Sequence, residues 1–158
     1  MAGLTYEEAR DYILDKFKAA WDAPAVATLM NQNGYGNASP KVEYQNIKQD
    51  KNPLSEGNKP WARAVVRHAT GEQRSMGQPG NRIFTRRGVV TIQIFVPVGK
   101  QGLVLADRLG KVAADAFEGE ETSTGNVWFR NTTYREVGVD GNWFQVNALA
   151  EFEYDAVK

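Results

Sequence analysis

His68 is the only histidine in this chain, and there is no cysteine. The capacity for nucleophilic or transition-metal chemistry therefore rests on one imidazole. A triad needs a base oriented by a third group, and a zinc site needs thiolates or several imidazoles. Neither set can be assembled here, and disulfides are excluded as well. A lone histidine in a strand-like segment reads as structural or surface-lying. Gly34-Tyr35-Gly36 lacks the strand-turn-helix context and the third glycine of a dinucleotide fingerprint. Lys100 follows a single glycine and lacks the Ser/Thr of a phosphate loop. Glu151, Glu153 and Asp155 alternate, so they share one strand face. That spacing suits a hard metal or an acid/base pair, and equally the wet side of an antiparallel sheet. With no convergent set of role-bearing groups, the expectation is no catalytic residue, no metal, no cofactor and no enzymatic activity.

The charges are more informative than the candidate catalysts. Over 158 residues, 19 basic and 19 acidic side chains cancel, so no global field attracts nucleic acid or membrane. Their distribution is uneven. Between Lys59 and Arg87 there are seven basic residues and one acid, Glu72; from Asp115 to Lys158 there are nine acids and three bases. Two solvated faces of opposite sign would account for this. The alternative is head-to-tail self-association, with the basic edge of one copy against the acidic edge of the next. Arginines near Trp61, Tyr35 and Phe84 also allow a single-stranded nucleic-acid surface, where aromatics stack bases.

The elements that must position these residues are legible from periodicity. Thr5 and Glu8 form a capping-box pattern ahead of an apolar stripe, Tyr6, Ala9, Ile13, Phe17 and Trp21, whose helical signal ends at Pro24. The stretch 31–39 reads as loop, 41–47 as a short strand, 50–60 as a second loop, and 61–69 as a strand led by Trp61. Residues 70–81, with four glycine or proline positions, exceed a tight hairpin loop and predict a projecting arm. Val90, Ile92, Ile94 and Val96 then alternate along a long strand that Pro97 ends. Leu105, Leu109, Val112, Ala116 and Phe117 mark a second helix, closed by Gly119. Short strands are expected at 126–129 and 132–137. Asp140-Gly141-Asn142 turns the chain into a last strand where Phe144, Val146, Ala148, Ala150, Phe152 and Tyr154 alternate with polar residues. One α+β domain over 1–158 follows: a mostly antiparallel or mixed sheet, two packed helices, and a projecting loop or hairpin arm at about 70–82. The N-terminus lacks a secretory pattern and no apolar run reaches the length of a membrane span, so a cytosolic product without membrane contact is expected.

The order of these pieces resembles a known family. An amphipathic helix, a Trp-led strand (Trp61-Ala62-Arg63-Ala64-Val65-Val66) and a glycine-containing arm come first. Next is the strand Arg86-Arg87-Gly88-Val89-Val90-Thr91-Ile92-Gln93-Ile94-Phe95-Val96-Pro97, with glycines before the next helix. The chain closes with Gly141-Asn142-Trp143-Phe144-Gln145-Val146 and the rest of the last strand. In this layout the chain is similar to the tail terminator proteins of long-tailed bacteriophages and prophages. The resemblance implies a structural virion protein at the head–tail junction, made in the host bacterial cytoplasm. It implies a homo-oligomeric ring, usually a hexamer, that caps the tail tube, stops its polymerisation and joins it to the head connector. Partners would be other copies, the tail-tube protein and the connector or neck protein, with DNA only as cargo passing through the lumen. Arg74, Arg82, Arg86, Arg87, Glu151 and Glu153 are the candidates for subunit, tube or lumen contacts. The alternatives are another neck, head-completion or tail-tube ring protein and, in a different class, the nucleic-acid module.

Overall fold

Thr5 starts the first helix as its sequence predicts. Its hydroxyl accepts from the Glu8 backbone N–H at 3.2 Å, and the Glu8 carboxylate accepts from the Thr5 N–H at 2.9 Å. This first helix, α1 (Tyr6–Trp21), buries Ala9, Ile13, Leu14, Phe17 and Trp21 and leaves Tyr6 exposed. Trp21 is pinned through its indole N–H, which donates to Pro40 O at 2.9 Å. The structure, a computed structural model, describes residues 3–45, 59–99, 102–122 and 126–158. Most of the expected second loop, Lys100, and the distal part of the expected 41–47 strand lie outside the described residues.

A second helix that the sequence reading did not anticipate, α2 (Pro24–Gln32), follows directly. Pro24 does sit beyond the end of α1, but it also occupies the first turn of α2, where a missing N–H costs nothing. Val26 and Met30 bury its inner face. The strands are β1 (Lys41–Tyr44), β2 (Trp61–Gln73), β3 (Ile83–Pro97), β4 (Val127–Asp140) and β5 (Trp143–Val157), with α3 (Gly102–Asp115) between β3 and β4. They form one sheet in the order β1-β2-β3-β5-β4, antiparallel except for the β1–β2 pair. The described residues thus form a single α+β domain of three helices and a mixed, mostly antiparallel five-stranded sheet.

Two strands run further than their local pattern announces. β2 continues to Gln73 because Thr70, Gly71, Glu72 and Gln73 pair with Arg87, Arg86, Thr85 and Phe84, after an irregularity between His68 and Thr70. The arm is therefore the outer end of a long hairpin, with its tip at 74–82. β4 is one strand where two were expected. Register shifts at Arg130/Thr132 and Glu136/Gly138, with Asn131 at φ 46°, interrupt its alternation without ending its pairing.

The core lies between one face of the sheet and α1 and α3. Val90, Ile92 and Ile94 lie opposite Ala150, Ala148 and Val146 across β3 and β5, and with Val96 all are buried with Phe17, Leu105 and Leu109. The opposite face, carrying Thr91, Gln93 and Phe95, stays half-buried and has no described helix over it. At the middle of β3, Gly88 lets neighbouring groups close in. A Cβ there would stand 2.2 Å from Arg67 O and 2.5 Å from the Phe152 ring.

Candidate functional site

Successive strand residues point to opposite faces, so Arg86 and Arg87 part company. Arg87 projects onto the uncovered face; Arg86 lies opposite Tyr154 and turns beneath α1. On the uncovered face a row of charge crosses four strands. Arg130 of β4 lies 3.8 Å from Glu153 of β5, Glu153 accepts from Arg87 Nε at 3.0 Å, and Arg87 reaches Glu72 of β2 at 3.3 Å. The Glu153 side chain is only 8% exposed, so both guanidiniums serve one nearly buried carboxylate. The hydrogen bond it donates to Glu153, the charge of Glu153 and that of Glu72 all hold the Arg87 guanidinium more firmly protonated than usual. Beside this row, Glu151 accepts from Asn131 at 2.9 Å. Arg87, Arg130, Asn131, Glu151 and Glu153 line an open cavity of about 370 Å³ on this face.

The remaining candidates are spread out. Arg74 pairs with Asp155 at 3.6 Å, and Asp155 also accepts from the Thr85 hydroxyl at 2.7 Å. Arg82 sits at the root of the arm tip, where Nε donates to Gly77 O at 2.9 Å and its backbone exchanges hydrogen bonds with Lys158. The structure therefore brings Arg87, Glu151 and Glu153 together, sets Arg74 and Arg82 along the arm, and sends Arg86 to the other face. Basic and acidic segments, read from sequence as complementary patches between copies, meet in part inside one subunit. β3 pairs with β5 along its whole length, and that register lays Arg87 over Glu153. Arg130, Asn131 and Glu72 were missed as members of this site; no signal short of the strand register would have joined them.

Under α1 lies a second polar group. His68 Nε2 is 2.7 Å from the Tyr154 hydroxyl, and the His68 ring meets Tyr6 edge-on at 4.8 Å. The Arg86 guanidinium covers the Tyr6 ring at 4.0 Å, close enough for a cation–π contact. Burial, then the charges of Arg10 and Arg86, hold the His68 pKa below the usual histidine value. Burial also pushes the Tyr154 phenol up, against the opposing pull of Arg86. Among the described residues, no group of three or more His, Cys, Asp or Glu is placed to hold a metal ion. No described helix is long and apolar enough to cross a membrane.

What these two sites can do is hold charged groups, on the uncovered face by an ion-pair row already closed on itself, and under α1 by cations that are not. No protein-family model and no curated protein matches the chain. One solved structure, whose name carries no statement of activity, superposes with a TM-score of 0.50 over 89% of this chain and 94% of its own length. The two sequences are 16% identical, so the likeness is one of fold alone.

Proposed function

We propose that this chain is a tail terminator: a structural, non-enzymatic subunit of a ring that caps a bacteriophage tail tube and presents a surface to the head connector. The observation that carries the reading is the build of the hairpin. β2 and β3 rise from a helix-backed sheet, and their connection at 74–82 ends in Met76, a large apolar side chain that is 99% exposed. Such a side chain contributes nothing to its own fold and is suited to contact with another protein. The root of the tip is held by Arg74 N–H to Ile83 O at 2.8 Å, the Ser75 hydroxyl accepting from Ile83 N–H at 2.9 Å, and the Arg82–Lys158 backbone pair. An arm with a fixed root and a free apolar tip supports a docking role on a tube.

Under this reading the ring would stand at the head–tail junction of the virion, with other copies, the tube protein and the connector as partners and DNA passing through. Electron microscopy of the purified chain with and without tail tubes tests it. A single ring capping tube ends is expected; long cylinders formed by the chain alone would instead identify a tube subunit. A ring found at the connector but never on tubes would identify a neck or head-completion protein. The nucleic-acid alternative draws less support. Trp61 is 6% exposed and stacked on Phe95 at 4.3 Å, so it is not a free platform for a base. Salt-dependent binding of short oligonucleotides would revive that alternative.

A further inference from the structure

The cluster under α1 is unused by the terminator reading, and its charges do not balance. Arg63, Arg74, Arg87 and Arg130 each have a carboxylate within 4.0 Å on or beside the uncovered face. Arg10 and Arg86 are half-buried, and among the described residues neither makes an ion pair. Arg10 Nε is buried without any hydrogen-bond partner. Arg86 lies beneath Tyr6, its stem passing Gly71, whose would-be Cβ would stand 3.8 Å from Arg86 Cγ, and its guanidinium hydrogen-bonds the Tyr154 phenol, a neutral acceptor rather than a carboxylate. His68 and Tyr154 close the cluster with an imidazole and a phenol 2.7 Å apart. Cationic groups taken partly out of water with no counter-charge are costly, and a planar anion offered to their N–H groups would offset that cost.

We infer that Arg10, Arg86, His68 and Tyr154 form a binding site for a carboxylate, and that a second copy of this chain supplies it from its acidic rim. This rests on the ring reading. The source is on the same subunit. A groove between α1 and the segment after α3 is lined by Asp15, Asp115, Glu120 and Glu121. Of its α1 residues, Tyr12, Asp15, Lys16 and Ala19 fall on the side away from Arg10, at about 100° per residue, with Ala20 at the edge. Lys16 and Lys111 engage Glu120 and Asp115, but Asp15, Glu118 and Glu121 are exposed and form no ion pair among the described residues. On α1, Arg10 of the donor site and Asp15 of the acidic rim thus point to different sides of the helix. A contact between two different patches is the heterologous kind that closes rings.

Two measurements on the full chain test the site and its occupant. In the first, sodium acetate and then inorganic phosphate are titrated against dilute protein while the His68 ring resonances are followed by NMR. A saturable shift with acetate is expected, because an arriving carboxylate raises the His68 pKa, and it should vanish in Arg86→Met. Absence of a shift in the wild type, which needs no variant to fold, overturns the site; saturation by phosphate alone overturns the carboxylate assignment. In the second, association is measured by sedimentation. Arg10→Glu and Arg86→Glu should each weaken it by roughly tenfold or more, and Glu118→Arg with Glu121→Arg should restore it in the Arg86→Glu background. Loss without rescue overturns the second copy as occupant. A chain that associates by this contact yet caps no tube retains the inference and loses the terminator reading. A chain that caps tubes undisturbed by Arg86→Glu loses the inference alone.

Discussion

Glu153 and His68 occupy neighbouring positions on the two faces of the sheet, and each has its properties set by the arginines nearby. Glu153 is nearly buried between Arg87 and Arg130. Removing its charge leaves Arg130 without its carboxylate and Arg87 with the exposed Glu72 alone, whereas among the described residues Glu151 holds Asn131 at an exposed position. Glu153→Gln should therefore lower Tm more than Glu151→Gln, by thermal melts followed with circular dichroism. His68 responds to pH. Its native pKa is held below the ordinary value by burial and by Arg10 and Arg86, with Tyr6, Tyr154 and Phe152 as its ring contacts. The unfolded chain takes up a proton on this ring near pH 6.5 while the native chain resists. Below that pH the unfolded state binds more protons, so stability falls as pH drops through about 6.5 and levels off below the native pKa. The loss of Tm between pH 7.5 and 5 should be smaller in His68→Gln than in the wild type.

At the scale of elements, the hairpin β2–β3 and the strand β5 decide where everything else goes. β3 is central, and a Cβ at its Gly88 would meet both the β2 backbone at Arg67 and the Phe152 ring. Gly88→Ala should cost about 1–3 kcal/mol through overpacking, read as a lower urea midpoint with an unchanged slope. The alternation in β3 and β5 was plain in the sequence because apolar residues face one core on one side only. α2 was not, because a proline read as a stop also starts a helix. The full length of β4 was not either: bulges shift the alternation while the hydrogen-bond ladder continues. The outer part of β2 is polar and exposed on both faces, and strand pairing there leaves no period in the residues.

For the whole molecule, the arm tip is the feature that separates folding from assembly. Met76 touches solvent almost entirely, so Met76→Ser should leave Tm unchanged within about a degree or two while weakening attachment to tail tubes in a pull-down. Undiminished attachment would remove the tip from the tube contact. The arginines are less clean probes than their sequence positions imply. Reversing Arg87 breaks the Glu153 pair and disturbs the sheet, whereas the Arg82 side chain, among the described residues, forms no ion pair and donates to the Gly77 carbonyl. Charge reversal at Arg82 is therefore the variant expected to impair assembly with the fold intact.

By itself the sequence determined the fold class, the helix α1 with its cap, the two long alternating strands and the existence of an arm. These follow from local periodicity and from turn residues that need no distant partner. Only the tertiary structure decided which charges meet. Arg87 and Glu153 are 66 residues apart, and nothing nearer in sequence marks them as partners. The same register that joins them turns Arg86 under α1, beside Arg10, His68 and Tyr154. A segment that looked uniformly basic is thereby divided, one arginine neutralised within the subunit and its neighbour left holding a charge for something else to meet.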